Sequence, residues 1–73
     1  MPTIDMAATG QRIRDMRIAA GMTIHDIQDA CGVSAAAVTK WQGGKAMPTI
    51  DNIVILAAIW NVPIDAIIVV KKV

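Results

Sequence analysis

The sequence predicts an all-α protein, a compact bundle of five short helices with no strands. Three observations lead there. Apolar residues recur at helical spacing in separate runs, as Ile27, Ala30 and Cys31 do, and again Ile53, Leu56, Ala57 and Trp60. Most runs follow a Thr or Ser able to cap a helix and precede a Gly or Asn able to end one. Seventy-three residues allow one small domain, expected as an arm over 1–8, a helical bundle over 9–70 and a tail over 71–73.

Each helix has a local reason. Thr9 is expected to cap the first, which ends at Ala20-Gly21 with Ile13, Met16 and Ala20 inward and Arg14, Asp15 and Ile18 more outward. Thr23 caps the second, through Cys31, with Asp26 completing an acidic capping box. Gly32 ends it, since only glycine takes the left-handed conformation cheaply. Ser34 caps the third, to Gln42, with Val38 and Trp41 as its apolar stripe and Val33 plugging the angle before it. Gly43 to Pro48 form a loop. Thr49 caps the fourth, which runs to Trp60 and stops at Asn61. Pro63 opens the fifth, through about Val69, and Lys71-Lys72-Val73 fray. The expected core is Ile13, Met16, Ile27, Cys31, Val33, Val38, Trp41, Ile53, Leu56, Ala57 and Trp60.

Composition removes several classes of function. The single Cys31 makes an internal disulfide impossible, and with the single His25 it cannot supply three or four metal ligands. Cys31 reads as a small buried hydrophobe and His25 as a surface residue; no cofactor is expected. MPTIDMAATG lacks the apolar core of a signal peptide, so a reducing, cytoplasmic setting is the expectation. The apolar run Ile53 to Val70 is broken by Asn61, Pro63 and Asp65, and neither half is long enough to cross a bilayer. No nucleophile is paired with a base, and Gly43-Gly44-Lys45 is too short for a nucleotide-binding loop, so an enzyme is not expected. Net charge is only +1, from seven Lys/Arg against six Asp. Arg12, Arg14 and Arg17 nonetheless cluster, as do Lys40 and Lys45.

Two features point toward binding. Thr23 to Gly44 sets two short helices around a glycine-centred turn, the layout of a DNA-binding helix-turn-helix. The fourth helix is apolar on both sides, since Val54, Ile55, Ala58 and Ile59 lie opposite its core face. Ile67, Ile68, Val69 and Val70 extend that apolar surface in sequence. A domain this small has no second layer to cover the outer side, so a homodimer is expected through Val54, Ile55, Ala58, Ile59, Ile67 and Val69.

The chain resembles the lambda-repressor-like, Cro/repressor-type (xenobiotic response element) helix-turn-helix regulators, from about Gly10 to Ile68. The resemblance rests on GQRIRDMR, AGMT before the second helix, GVS at the turn, WQGGK, PTI and LAAIWNVPID, in that order and spacing. It implies double-stranded DNA as partner and the start of the third helix as the base-reading segment. Ser34, Ala35, Ala36, Thr39 and Lys40 then face DNA, with Lys45 and Arg12 adding charge and the amides of Gly43 and Gly44 holding phosphates.

The chain departs from the family at four places. Ile24 stands where the family carries a phosphate-contacting glutamine, and Gln28 stands where it carries an alanine. Gln42 replaces a glutamate that pairs with an arginine, here Arg17, leaving a hydrogen bond for an ion pair. Ala35-Ala36-Ala37 occupy the base-reading positions, which limits direct readout to contact with thymine methyls. The leading expectation is a sequence-specific DNA-binding transcriptional regulator acting as a homodimer. The alternative is a protein-interaction or antitoxin-like module on the same fold with a weakened DNA face.

Overall fold

The computed structural model describes Met1–Val73. Along the chain run β1 (Pro2–Ile4), α1 (Met6–Ala19), α2 (Ile24–Cys31), α3 (Ala35–Gln42), α4 (Ile50–Trp60), a 3-10 turn over Ile64–Ala66, and β2 (Val70–Lys72). The two strands pair antiparallel, with Pro2 opposite Lys72, Thr3 opposite Lys71 and Ile4 opposite Val70.

The core is Ile13 of α1, Ile27 of α2, Val38 and Trp41 of α3, Ile53, Leu56 and Ala57 of α4, and Ile67 beyond the 3-10 turn. Met16, Cys31, Val33 and Trp60 pack against it half-buried, so each expected core residue lies in or against the core. Fully enclosing one such aliphatic side chain stabilises by about 1.5–3 kcal/mol. α1 and α2 both pack on α3, which holds the helix-turn-helix unit against the rest of the domain.

The caps of α2, α3 and α4 are those the sequence predicts. Thr23 Oγ1 accepts from the Asp26 N–H at 3.1 Å, and the Asp26 carboxylate accepts from the Thr23 N–H at 2.8 Å. Ser34 Oγ accepts from the Ala37 N–H and Thr49 Oγ1 from the Asn52 N–H. Gly32 (φ 67°) and Asn61 (φ 53°) supply the left-handed terminations of α2 and α4.

Several expectations are corrected. Asp5, not Thr9, caps α1, its carboxylate accepting from the Ala8 N–H at 3.0 Å. Aspartate caps as well as threonine does, and Ala7 and Ala8 carry the helix on toward Thr9. Thr9 lies fully buried inside α1, where its hydroxyl accepts from the Val69 N–H at 2.9 Å. Ala20, expected inward, is exposed at the C-cap.

The fifth helix does not form. Only Ile64–Ala66 make a single 3-10 turn, and the chain then straightens into β2. The β-branched run Ile67-Ile68-Val69-Val70 loses rotamer freedom in a helix and favours a strand. The N-terminal residues are the strand's partner, so neither the arm over 1–8 nor the tail over 71–73 hangs free. The bundle is therefore four helices and a small ribbon. No helix is long and apolar enough to cross a membrane.

Candidate nucleic-acid interface

α3 turns one face to the core and the other to solvent. Val38 and Trp41 are buried, whereas Ser34, Ala35, Ala36, Thr39 and Lys40 are exposed. The αL turn at Gly32, whose N–H donates to the Gln28 carbonyl at 2.8 Å, sets the angle at which α3 leaves α2. The N–H groups of Ala35 and Ala36 precede the first intrahelical bond of α3 and find no other partner in the chain. The alanine run thus bares main-chain donors that larger side chains would partly screen. Ala37, the third alanine, turns toward the core.

The Gly43–Lys45 turn is built differently from the expectation. The Gly43 N–H donates to the Thr39 carbonyl at 3.0 Å and the Gly44 N–H to that of Trp41 at 3.1 Å. Both amides are spent on closing α3 and are not free to hold a phosphate. The glycines act as shape: Gly44 has φ 72°, and a Cβ there would lie 2.9 Å from the Ala7 Cα. Lys45 follows the turn with its side chain exposed.

Arg12 is committed in part to the C-terminal segment. Its Nη1 donates to the Ala66 carbonyl at 2.8 Å, tying α1 to the C-terminal segment. Arg17 makes the contact its spacing predicts, with Nε donating to Gln42 Oε1 at 2.9 Å and Nη1 to the Met22 carbonyl at 2.9 Å. It clamps the end of α3 to α1 and to the entry of α2 without an ion pair. His25, exposed at the start of α2, meets Asp29 one turn on at 3.3 Å. Burial alone pushes the Cys31 thiol up from its ordinary range, consistent with a packing residue.

The outer face of α4 is apolar and open. Val54 is 50% exposed and Ile59 42%, with Ala58 exposed beside them and Ile55 half-buried. Ile50, not singled out from the sequence, adds to this row at 64% exposure; its i, i+4 spacing from Val54 was the available signal. Ile67, expected on this surface, is instead 0% exposed and belongs to the monomer core. Val69 is half-buried at the root of the ribbon. Beside Ile59, an open groove of about 330 Å³ is lined by Met16, Ala19, Ala20, Trp60 and Val62.

A small helical domain that turns the second helix of a helix-turn-helix outward is a nucleic-acid-reading module by geometry. Residues 13–67 match the family model described as Helix-turn-helix, and the chain belongs to that family. The family defines a DNA-binding transcription regulator and not an enzyme. The crystal structure of the restriction-modification controller protein C.AhdI from Aeromonas hydrophila is similar, with a TM-score of 0.76 at 24% identity over 86% of this chain and 96% of that one. That likeness establishes a common fold. No curated protein matches the chain.

Proposed function

We propose that the chain is a sequence-specific transcriptional regulator that binds double-stranded DNA as a homodimer, with α3 of each copy in the major groove. The observation that carries this reading is the outward face of α3, where Ser34, Ala35, Ala36, Thr39 and Lys40 surround two unpartnered main-chain N–H groups. Ser34 Oγ accepts the capping bond, so its hydroxyl proton remains free for a phosphate. The two outward alanines restrict base contact to thymine methyls, and much of the specificity then falls to DNA shape and half-site spacing. Lys45 continues the phosphate-contacting surface, and Arg12 adds the guanidinium donors that Ala66 does not use. The dimer surface is the outer row of α4 through Val54, Ile55, Ala58 and Ile59, with Val69 at its margin. The likeness to a restriction-modification controller agrees with a transcriptional regulator on this fold.

The test is binding to random and genomic duplexes as a function of salt. Lys40→Ala with Lys45→Ala is expected to weaken binding to all sequences and to reduce the salt slope by about 0.9 per lost phosphate contact. A slope near zero for the unmodified chain would remove the DNA reading.

One observation favours the protein-interaction alternative. The open groove at Met16, Ala19, Ala20, Ile59, Trp60 and Val62 is lined by apolar residues throughout, which suits an apolar side chain of a partner protein. Retention of a protein partner by a chain that ignores DNA would favour that alternative.

A further inference from the structure

The ribbon at the chain ends is anchored far more firmly than its own packing requires. No residue of β1 or β2 is buried, and a two-stranded ribbon of this length has little stability of its own. It is hung on α1 by bonds just outside it. The Asp5 N–H donates to the Val69 carbonyl at 2.7 Å, and the Val69 N–H donates to the fully buried Thr9 hydroxyl at 2.9 Å. The ribbon's root also abuts the turn that follows α3. Ala7, two residues beyond the Asp5 cap, is the residue against which Gly44 packs.

The two edges of the ribbon differ. Asp5 bonds to Val69 and Met1 to Val73, so the odd-numbered residues face one another across the pair. The even-numbered N–H groups then point outward. On β1 this edge is blunted by Pro2, which has no N–H. On β2 it is open, presenting the N–H groups of Val70 and Lys72 with the exposed side chains of Lys71 and Lys72 on opposite faces. Neither strand contains a carboxylate side chain. A second copy pairing along this edge about a two-fold would set lysines against lysines, which is unfavourable. A polyanion lying along it meets two N–H donors and an ammonium on each side.

We propose that β2 is a second phosphate-contacting element, holding the DNA backbone that flanks the segment covered by α3 and Lys45. The inference rests on the DNA-binding reading and adds Lys71 and Lys72 to its contact set. It also gives the buried Thr9 clamp a purpose, since a fixed ribbon holds its lysines in register with α3 where a frayed tail would not.

The full chain, Lys71→Gln with Lys72→Gln, Lys71→Arg with Lys72→Arg, and Lys40→Ala with Lys45→Ala are compared on one random-sequence duplex across a salt series. The side chains of Lys71 and Lys72 are exposed and make no hydrogen bond or ion pair, so their variants are expected to keep the thermal midpoint of the full chain. The glutamine pair is expected to lower the salt slope by about 1.8, which shrinks the loss of affinity between about 50 and 200 mM salt by about tenfold. The arginine pair is expected to keep the full slope. If the Lys40/Lys45 substitutions lower the slope while the glutamine pair leaves it unchanged, the lysines only guard an open strand edge and the proposal is overturned. If the unmodified chain shows no slope, the DNA-binding reading falls first.

Discussion

Gly10 sets how closely α1 approaches the end of α3. A Cβ at this buried position would lie far inside van der Waals contact with the Trp41 carbonyl oxygen and 2.8 Å from that of Gln42. Both obstacles are main chain at the point where α3 closes, so no side-chain rotation relieves them. Gly10→Ala is therefore expected to destabilise despite the roughly 1 kcal/mol by which alanine favours a helix interior over glycine. Overpacking of this kind costs about 1–3 kcal/mol, and a net loss of 1 kcal/mol lowers the midpoint of so small a domain by roughly 4–8 °C. A thermal melt reads this directly, and a raised midpoint would contradict the packing. Asp26 gives a pH-dependent counterpart. The Thr23 backbone N–H and then the Thr23 hydroxyl hold its carboxyl below the ordinary range. With the folded value below the unfolded one, the stabilisation is complete above the unfolded value and is lost as pH falls through the folded one. Asp26→Asn should lower the midpoint at neutral pH, and its curve should converge with that of the unmodified chain in acid. Curves that stay parallel through the carboxylate range would remove this role.

Among the elements, the pairing of β2 with β1 depends on Thr9. Thr9→Val keeps the shape of the side chain but leaves the half-buried Val69 N–H without its acceptor, a loss of about 1 kcal/mol. Amide exchange at Val69 and along β2 should accelerate while Ile13 and Ile27 in the core stay protected. Uniform acceleration would mean that the ribbon is integral to the fold and not hung on it. This joint is also where sequence reasoning stopped. Thr23, Ser34 and Thr49 were legible because a cap, its helix and its terminator lie within a dozen residues of one another. Thr9 carries the same side chain, but what decides its role is Val69, sixty positions on. Of the β-branched run Ile67 to Val70, read as helix from the sequence, only Val70 enters β2; its partner Ile4 lies at the other end of the chain, and no hairpin turn announces the pair. The outward face of α3 was legible from the periodicity that places Val38 and Trp41 inside. The closure of the Gly43 and Gly44 amides onto Thr39 and Trp41 was not, because composition does not say which N–H groups a turn consumes.

At the scale of the whole molecule the open question is what covers the outer side of α4. Ile50, Val54 and Ala58 form one exposed row, and Ile59 and the half-buried Ile55 a second beside it. Burying such surface stabilises by about 25 cal/mol per Å², so a few hundred Å² on each copy is enough to offset several kcal/mol of association cost. In the proposed dimer Ile67 stays in the core of each copy, so the contact would rest on α4 itself, and a two-fold between the two copies of that helix would relate the two third helices. Linking two half-site readers in this way raises affinity for a paired site by about 10²–10⁴ without any new base contact. Val54 and Ile59 are the sites to break it, because both are substantially exposed in a single copy and Ile55 is not. Val54→Lys with Ile59→Asp should give a chain that melts as a folded domain, sediments as a monomer and binds a paired site about a hundredfold more weakly, with single half-site binding unchanged. Sedimentation of the unmodified chain decides the matter at once. A clean monomer at high micromolar concentration would sink the homodimer, and the apolar row of α4 would then have to be the seat of a different protein.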